Sequence, residues 1–461
     1  MMRYVLRMRE DHHRQLAALL RAAMPEESVC FVLCRRAVGA ETVVYLADEV
    51  IPVDRLDYAR QDVDIASVTP MAMARVAQRA RELGRVVIMA HIHPMTTAGV
   101  SFSRADYLGN RRTFAFMHRR VPQVEHVALV WNADATECAG LIYPVDGDPI
   151  ALDAAHVVDG VTWRCLTHHA GLEDVQFARQ SLLLGSGGQR LLAQVRPLIA
   201  GAGGTGSLAA MGLVHHGVRH YTVVDDDLLG LSNLPRVVGA VPGDVDTTAK
   251  VAIVARYALA HAHDGNVVQL RQHVEHPSVL PHLVAADMIL CCTDNTTSRA
   301  HLNQVSQQYL VPLLDVGVQF VCDRDGRVVN EVGRINLARP GTSCLCCTGH
   351  IDPARLTAEA TPSEERQRPG SYLRGFDDPQ PSMMAFNMEV VGRALQVLVG
   401  FITGVLQTPL NVYEQRSFLK ARGGSLVRRI AKSQREDCSI CTEGHIGIGA
   451  DQPMHMRKRA A

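Results

Sequence analysis

At 461 residues, with 47% hydrophobic and 20% charged side chains, the chain is long enough to bury two or more cores and has the balance of a globular protein. Its 47 basic and 47 acidic residues cancel, so no bulk electrostatic attraction to nucleic acid or to a membrane surface is expected. The N-terminus lacks the apolar core of a secretory signal, and no run reaches the roughly 18 apolar residues of a membrane helix, so a cytoplasmic protein is expected.

The chain opens with a helical pattern over Asp11–Ala23. β-rich runs follow at SVCFVLCRR and TVVYLADEVIPV, then a helix over Pro70–Leu83 and strands at RVVIMAH and EHVALVWNA. Strands grouped with a few helices predict an α+β domain over residues 1–149. The polar, His- and Asp-rich stretch 150–174 reads as a linker. From Val175 the rhythm changes. FARQSLLLGSGGQRLLAQ is helical with an interruption at GSGG, RPLIAGAGG is a strand entering a glycine-rich turn, and GSLAAMGLVHHG is the helix leaving it. HYTVVDDD, AADMILCCTDN and LVPLLDVGV are further strands, with helices between them. This alternation predicts an α/β domain over 175–445 with a Rossmann-like, doubly wound, mainly parallel sheet. VLVGFITGVL belongs to a longer pattern containing Glu389 and Arg393 and reads as a buried helix, and residues 446–461 read as a flexible tail.

Three clusters carry chemistry. Gly201, Gly203 and Gly206 form G-x-G-x-x-G between a predicted strand and helix, which suits a close backbone approach to phosphates. Asp225 closes the following strand, where a carboxylate can bind ribose hydroxyls. Cys344 and Cys347 form one C-x-x-C and Cys438 and Cys441 another, the spacing of a tetrahedral structural zinc site. Cys346, between two of them, is not expected to be a ligand. In AHIHPMTTAGVSFSRAD, His91 and His93 share one face of a strand, and a loop can return Asp106 as a third ligand, leaving an open zinc position for water. The pairs at His168 and His215 lack a third ligand at workable spacing, and HAHD at His261–Asp264 lies on or at the end of a helix, where i and i+2 diverge.

The second half, from Phe177 to Cys441, resembles the activating-enzyme superfamily: ubiquitin-activating enzymes and the adenylyltransferases of thiamine and molybdopterin synthesis. The resemblance rests on the glycine turn, VVDDDLLGLSNLPR, Lys250, CTDN and the paired C-x-x-C units. It implies ATP as substrate and Mg2+ as cofactor. Gly201, Gly203, Gly204 and Gly206 would hold the phosphates, with Asp225 on the ribose, Asp227 also among the ATP-binding residues and Asn233 supporting the phosphate-side loop. Arg236 and Lys250 would neutralise phosphate charge, Asp294 would help hold magnesium or position ATP, and Arg179 would be supplied across a homodimer interface. An NAD-dependent dehydrogenase has no use for the set Arg236, Lys250 and Asp294. No cysteine lies between Cys347 and Cys438, where ubiquitin-activating enzymes often hold a thioester-forming one.

The first half, from Arg21 to Pro144, resembles JAB/JAMM zinc metalloproteases (MPN fold) through H-x-H-P followed by S-x-x-D. That resemblance makes Glu27, with Glu26 as fallback, the general base for a zinc-bound water, and Ser103 the oxyanion stabiliser. Together the two resemblances imply a two-headed enzyme that adenylates the C-terminal glycine of a ubiquitin-like or sulfur-carrier protein and cleaves after that glycine. A conjugating-enzyme-like partner is a further expectation. Two alternatives stay open: adenylation for sulfur transfer in cofactor synthesis, and a first domain that only binds the modifier.

Overall fold

The computed structural model describes residues 2–160, 162–167, 175–262, 264–322, 327–361, 381–405, 412–418, 425–430 and 434–451. It divides into two compact units, one of Met1–Gly171 with Gly447–Gln452, the other spanning Leu172–Ile446.

In the first unit β1 (Arg3–Met8) leads into α1 (Glu10–Arg21), β2 (Val29–Gly39) and β3 (Thr42–Pro52). A small hairpin, β4 (Tyr58–Asp62) and β5 (Ile65–Val68), precedes α2 (Pro70–Leu83) and β6 (Val86–Ile92). α3 (Arg104–Arg120), β7 (His126–Trp131) and β8 (Cys138–Tyr143) follow, then short β9 (Ile150–Ala151), β10 (Ala154–Val157) and β11 (Arg164–Cys165). Nine of these strands form one mixed sheet in the order β11-β10-β1-β3-β2-β6-β7-β8-β9. Its strands are apolar without alternation because both faces are covered. Cys30, Val32, Ile88, Ala90, Leu129 and Trp131 pack with α1, whereas Val29, Phe31, Val87 and Ala128 pack with α2 and α3. α2 has the bounds its sequence announces: Thr69 caps it, Pro70 opens it and Gly84 ends it in the left-handed region.

Two expectations are corrected. The stretch 150–174, read as a linker, instead extends the sheet as far as Cys165: β10 pairs with β1 and β11 with β10. The polar residues that made it look irregular have local work, since Asp159 accepts a bond from the amide of Glu10 at 2.6 Å and Arg164 pairs with Glu10. Residues 168–174 lie outside the described residues. The tail read at 446–461 is ordered over Gly449–Asp451, a 3-10 turn in the first unit. There Asp451 accepts from Arg35 at 2.8 Å and Arg85 at 3.0 Å, two arginines that Asp48 also pairs. Residues 452–461 lie outside the described residues.

The second unit opens with α4 (Ala178–Gln194), kinked at Gly185, as its GSGG interruption predicts. β12 (Pro197–Ala200), α5 (Gly204–His215), β13 (His220–Val224), α6 (Lys250–His261) and β14 (Asn266–Leu270) build one flank. α7 (Leu280–Ala285), β15 (Met288–Cys291), α8 (Thr296–Gln308) and β16 (Leu313–Cys322) build the other. β14-β13-β12-β15-β16 are parallel, as expected for a Rossmann-like core. Beyond them the sheet turns antiparallel through β17 (Val328–Ala338), β18 (Val412–Phe418) and β19 (Ser425–Ile430), an extension absent from the sequence reading. α9 (Pro353–Ala360) and α10 (Met384–Thr403) lie between β17 and β18 in the chain. α10 is long and apolar enough to cross a membrane by length and composition, but Val390, Val391, Leu395, Leu398 and Phe401 are buried in the unit.

Candidate functional site

Strand order reverses at β12, with β13 and β14 on one side and β15 and β16 on the other. Such a switch point opens a crevice at the carboxyl ends of the strands. Gly201 leaves β12 with φ +93°, and a Cβ there would lie 2.7 Å from the Cys292 carbonyl oxygen. A Cβ at Gly206 would lie 1.7 Å from the oxygen of Gly201, whereas one at Gly203 would meet nothing within 4 Å. Internal packing therefore demands glycine at 201 and 206. At 203 the open space suits a ligand that must approach the backbone. No side chain caps α5, and the amides of Gly204, Thr205 and Gly206 make no hydrogen bond among the described residues. A helix start left open in this way is suited to an anion.

Asp225, Asp227 and Lys250 meet beside this turn. Asp225 accepts from the Ala202 amide at 2.7 Å, and Lys250 Nζ lies 2.6 Å from Asp227 and 3.9 Å from Asp225. Burial raises the Asp225 pKa, with Lys250 opposing. Asn233 sits in a 3-10 turn whose carbonyl accepts the amides of Arg236 and Val237. The stem of Arg236 runs past Gly204, and its guanidinium has no carboxylate partner among the described residues. Asp294 is exposed just after β15, without a hydrogen bond among the described residues. Arg179 is exposed on the first turn of α4 and is not joined to this group by any described hydrogen bond or ion pair. Sequence reasoning missed Asn387 of α10, whose Nδ2 would stand 2.6 Å from a Cβ at Gly204. It carries no motif signal, being 183 positions from its neighbour.

The four cysteines converge. Cys344 Sγ lies 3.9 Å from Cys347 and 3.7 Å from Cys438, and Cys347 lies 3.4 Å from Cys441. A tetrahedral zinc with Zn–S near 2.3 Å needs sulfurs about 3.8 Å apart, so the set fits. Cys346 is not part of the converging group.

In the first unit, parity assembles the second candidate centre. His91 pairs directly across the sheet with Val29, so both face α2 and α3, and Glu27 precedes Val29 by one period. The loop after His93 returns Asp106 as expected, but places it as the third residue of α3. Ser103 and Asp106 form a capping box: the Ser103 Oγ accepts from the Asp106 amide at 3.1 Å, and the Ser103 amide donates to Asp106 Oδ2 at 2.7 Å. The S-x-x-D pattern is thus also a helix-start signal. Asp106 Oδ1 and Oδ2 lie 3.2 and 3.3 Å from the Nε2 atoms of His91 and His93. Ligands on tetrahedral zinc near 2.05 Å stand about 3.3 Å apart, so this set also fits a metal. Glu27 lies 3.8 Å from His93 Nε2; burial raises its pKa and the two histidines oppose. Burial alone would raise Asp106, but His91 and His93 outweigh it and hold the carboxyl well below its usual range. The fallback Glu26 is not in this group.

Three positioning residues here had no sequence signal. Tyr58 of β4 accepts from the amide of Val29 at 2.9 Å and donates to its carbonyl at 3.1 Å, and Gln61 donates to the carbonyl of Glu27. Asn132 donates to the carbonyl of Thr97 and to Thr136, and accepts the amides of Thr136 and Glu137. It pins the stretch between His93 and Ser103 with all its hydrogen-bonding capacity used.

Among known proteins, the ThiF family model matches residues 177–440. The sulfur carrier protein ThiS adenylyltransferase of Escherichia coli K12 is 30% identical over 30% of this chain and 56% of its own length. The SAMP-activating enzyme E1 of Haloferax volcanii is 32% identical over 28% of this chain and 48% of its own. The molybdopterin-synthase adenylyltransferase of Escherichia coli K12 is 32% identical over 39% of this chain and 69% of its own. The chain thus spans about half the length of the first two relatives.

Proposed function

The chain belongs to the ThiF family, and from that premise we propose that its second unit uses ATP to adenylate the C-terminal carboxylate of a ubiquitin-like or sulfur-carrier protein. The observation that carries this reading is the open helix start of α5 at the switch point, with Arg236, which has no carboxylate partner among the described residues, passing Gly204. The carrier carboxylate attacks the α-phosphorus, the bond to the bridging oxygen breaks, and pyrophosphate leaves. Magnesium, with Asp294 helping to hold it, would neutralise charge on the leaving group. The start of α5 and Arg236 hold the phosphates, Lys250 offsets their charge, and Asp225 takes the ribose. Lys250 exchanges Asp227 for phosphate when ATP enters. The four cysteines would hold a structural zinc, tying residues 344–347 to 438–441.

The absence of cysteine between Cys347 and Cys438 favours handing the acyl-adenylate to another molecule's nucleophile, either a conjugating-enzyme-like thiol or a sulfur donor. A homodimer supplying Arg179 across its interface is supported by the apolar surface beside that residue, where Val175 is 86%, Leu182 89% and Leu183 72% exposed. In the first unit His91, His93 and Asp106 would hold a zinc ion, which would supply an activated water for cleavage after the carrier's terminal glycine. Glu27 would accept the proton, and Ser103, whose oxygen caps α3 and whose hydroxyl donates to no group among the described residues, would donate to the developing oxyanion. ATP–pyrophosphate exchange with candidate carriers tests the reading: it should require a glycine-terminated carrier, and exchange indifferent to every such carrier would sink it. A first unit that binds carriers without cleaving them would reduce its role to docking.

A further inference from the structure

Two helices, α5 and α8, begin at the carboxyl edge of the parallel strands beside the crevice, and they are finished in opposite ways. α5 is open. α8 is closed twice over. Its cap Asn295 accepts the Ser298 amide at 2.7 Å, and Glu359 of α9 accepts the amides of Thr296 and Thr297, each at 2.7 Å, and the Thr297 hydroxyl at 2.6 Å. Those bonds outweigh burial and lower the Glu359 pKa, so the carboxylate is charged where the helix dipole favours it. Asp294 lies just before this cap. On its other side the carbonyl of Thr293 accepts from Arg299 at 2.7 Å, and Arg299 is itself fixed by Asp315 at 3.0 Å. Asp315 also bonds His350, three residues past Cys347, and Asn303 of α8 accepts the amide of Leu345 at 2.9 Å. The segment from Cys344 to Ala360 thus holds α8 directly at its start and middle, and through Asp315 it braces Arg299.

We infer that Glu359 is a positioning residue for the nucleotide site: by closing the N-terminus of α8 it fixes the Thr293–Asn295 turn that presents Asp294, and it leaves α5 as the helix end free to take phosphate. This rests on the reading that Asp294 serves magnesium–ATP. A carboxylate on α8 denies that helix to the triphosphate by like charge, so the anion has one seat in the crevice instead of two.

The test is a double-mutant cycle on the full chain, read as magnesium–ATP affinity by calorimetry, with thermal melting as the fold control. Glu359→Ala should weaken binding about fivefold, the scale of a lost helix cap. Glu359→Gln, which keeps one accepting oxygen and the side-chain volume, should recover part of that loss. In an Asp294→Ala background the Glu359→Ala effect should vanish. The same factor in both backgrounds, or unchanged binding in Glu359→Ala and Glu359→Gln, overturns the inference and leaves the adenylation reading intact. Unchanged binding in Asp294→Ala alone overturns the role given to Asp294, and the inference with it.

Discussion

Alanine at Gly203 and at Gly206 should have effects of different kinds, although the two glycines stand three residues apart in one turn. At Gly206 the new Cβ starts 1.7 Å from the oxygen of Gly201, and real Cβ contacts stay beyond 3.0 Å, so the turn must open by about 1.3 Å. Overpacking of that kind costs about 1–3 kcal/mol, and it displaces the very amides that would hold phosphate. At Gly203 the Cβ enters open space at an ordinary φ of −76°. Stability should fall by no more than about 1 kcal/mol, the scale of alanine at a helix cap, or about 2–4 °C in melting temperature. The methyl group would nevertheless stand where a phosphate must approach. Losing one charge-assisted amide–phosphate bond is worth about 1.5–3 kcal/mol, or roughly 10- to 150-fold in affinity. Melting curves and magnesium–ATP calorimetry on the two variants separate the effects. Gly203→Ala protein that binds within about twofold of the parent would refute the placement of the phosphates.

Further outcomes follow from the other centres. Metal analysis should find about two zinc ions per chain, with His93→Ala losing one and Cys438→Ser the other; a single zinc insensitive to His93→Ala would refute the first-unit centre. Arg179→Ala and Lys250→Ala proteins should each fail in pyrophosphate exchange, yet regain about a quarter of parental activity on mixing, because half of randomly exchanged dimers carry one intact site; no recovery would mean that Arg179 does not act across an interface. Burial alone would raise the Asp315 pKa, but Arg299 and His350 outweigh it and hold it at about 2, below the ordinary 3.8. A carboxyl depressed in the folded state stabilises fully above its unfolded pKa, and the contribution is lost as pH falls toward 2. Acid titration should therefore show about 2 kcal/mol of stability lost across that window and absent in Asp315→Asn.

Spacing-encoded features were legible. Gly201, Gly203 and Gly206, the two C-x-x-C units and the alternate histidines each express their geometry within a few residues, because turns, knuckles and strands have short fixed periods. The bounds of α2 were legible for the same reason, with cap, proline and terminal glycine all local. What escaped depends on chain segments meeting across long separations. Glu359 meets Thr296 63 positions earlier, Asn387 meets Gly204, and Tyr58 clamps Val29, and in none of these does a residue's own neighbourhood reveal its partner. β10 escaped because four residues carry too little pattern to outweigh polar flanks, and its strand identity comes from pairing with β1. α3 is the instructive middle case. Ser103 and Asp106 were recognised as a metal-site pattern, and their equal claim to be a capping box went unused.

The return of Gly449–Asp451 to the first unit means that the first unit is discontinuous in sequence, with Leu172–Ile446 inserted within it. A fragment ending at residue 171 would leave Arg35 and Arg85 to share Asp48 alone and would strip the turn at Gly449 from Leu46. A minimal first unit for biochemistry is therefore a two-piece object, in which a short linker replaces 172–446 and carries the chain directly to Gly447.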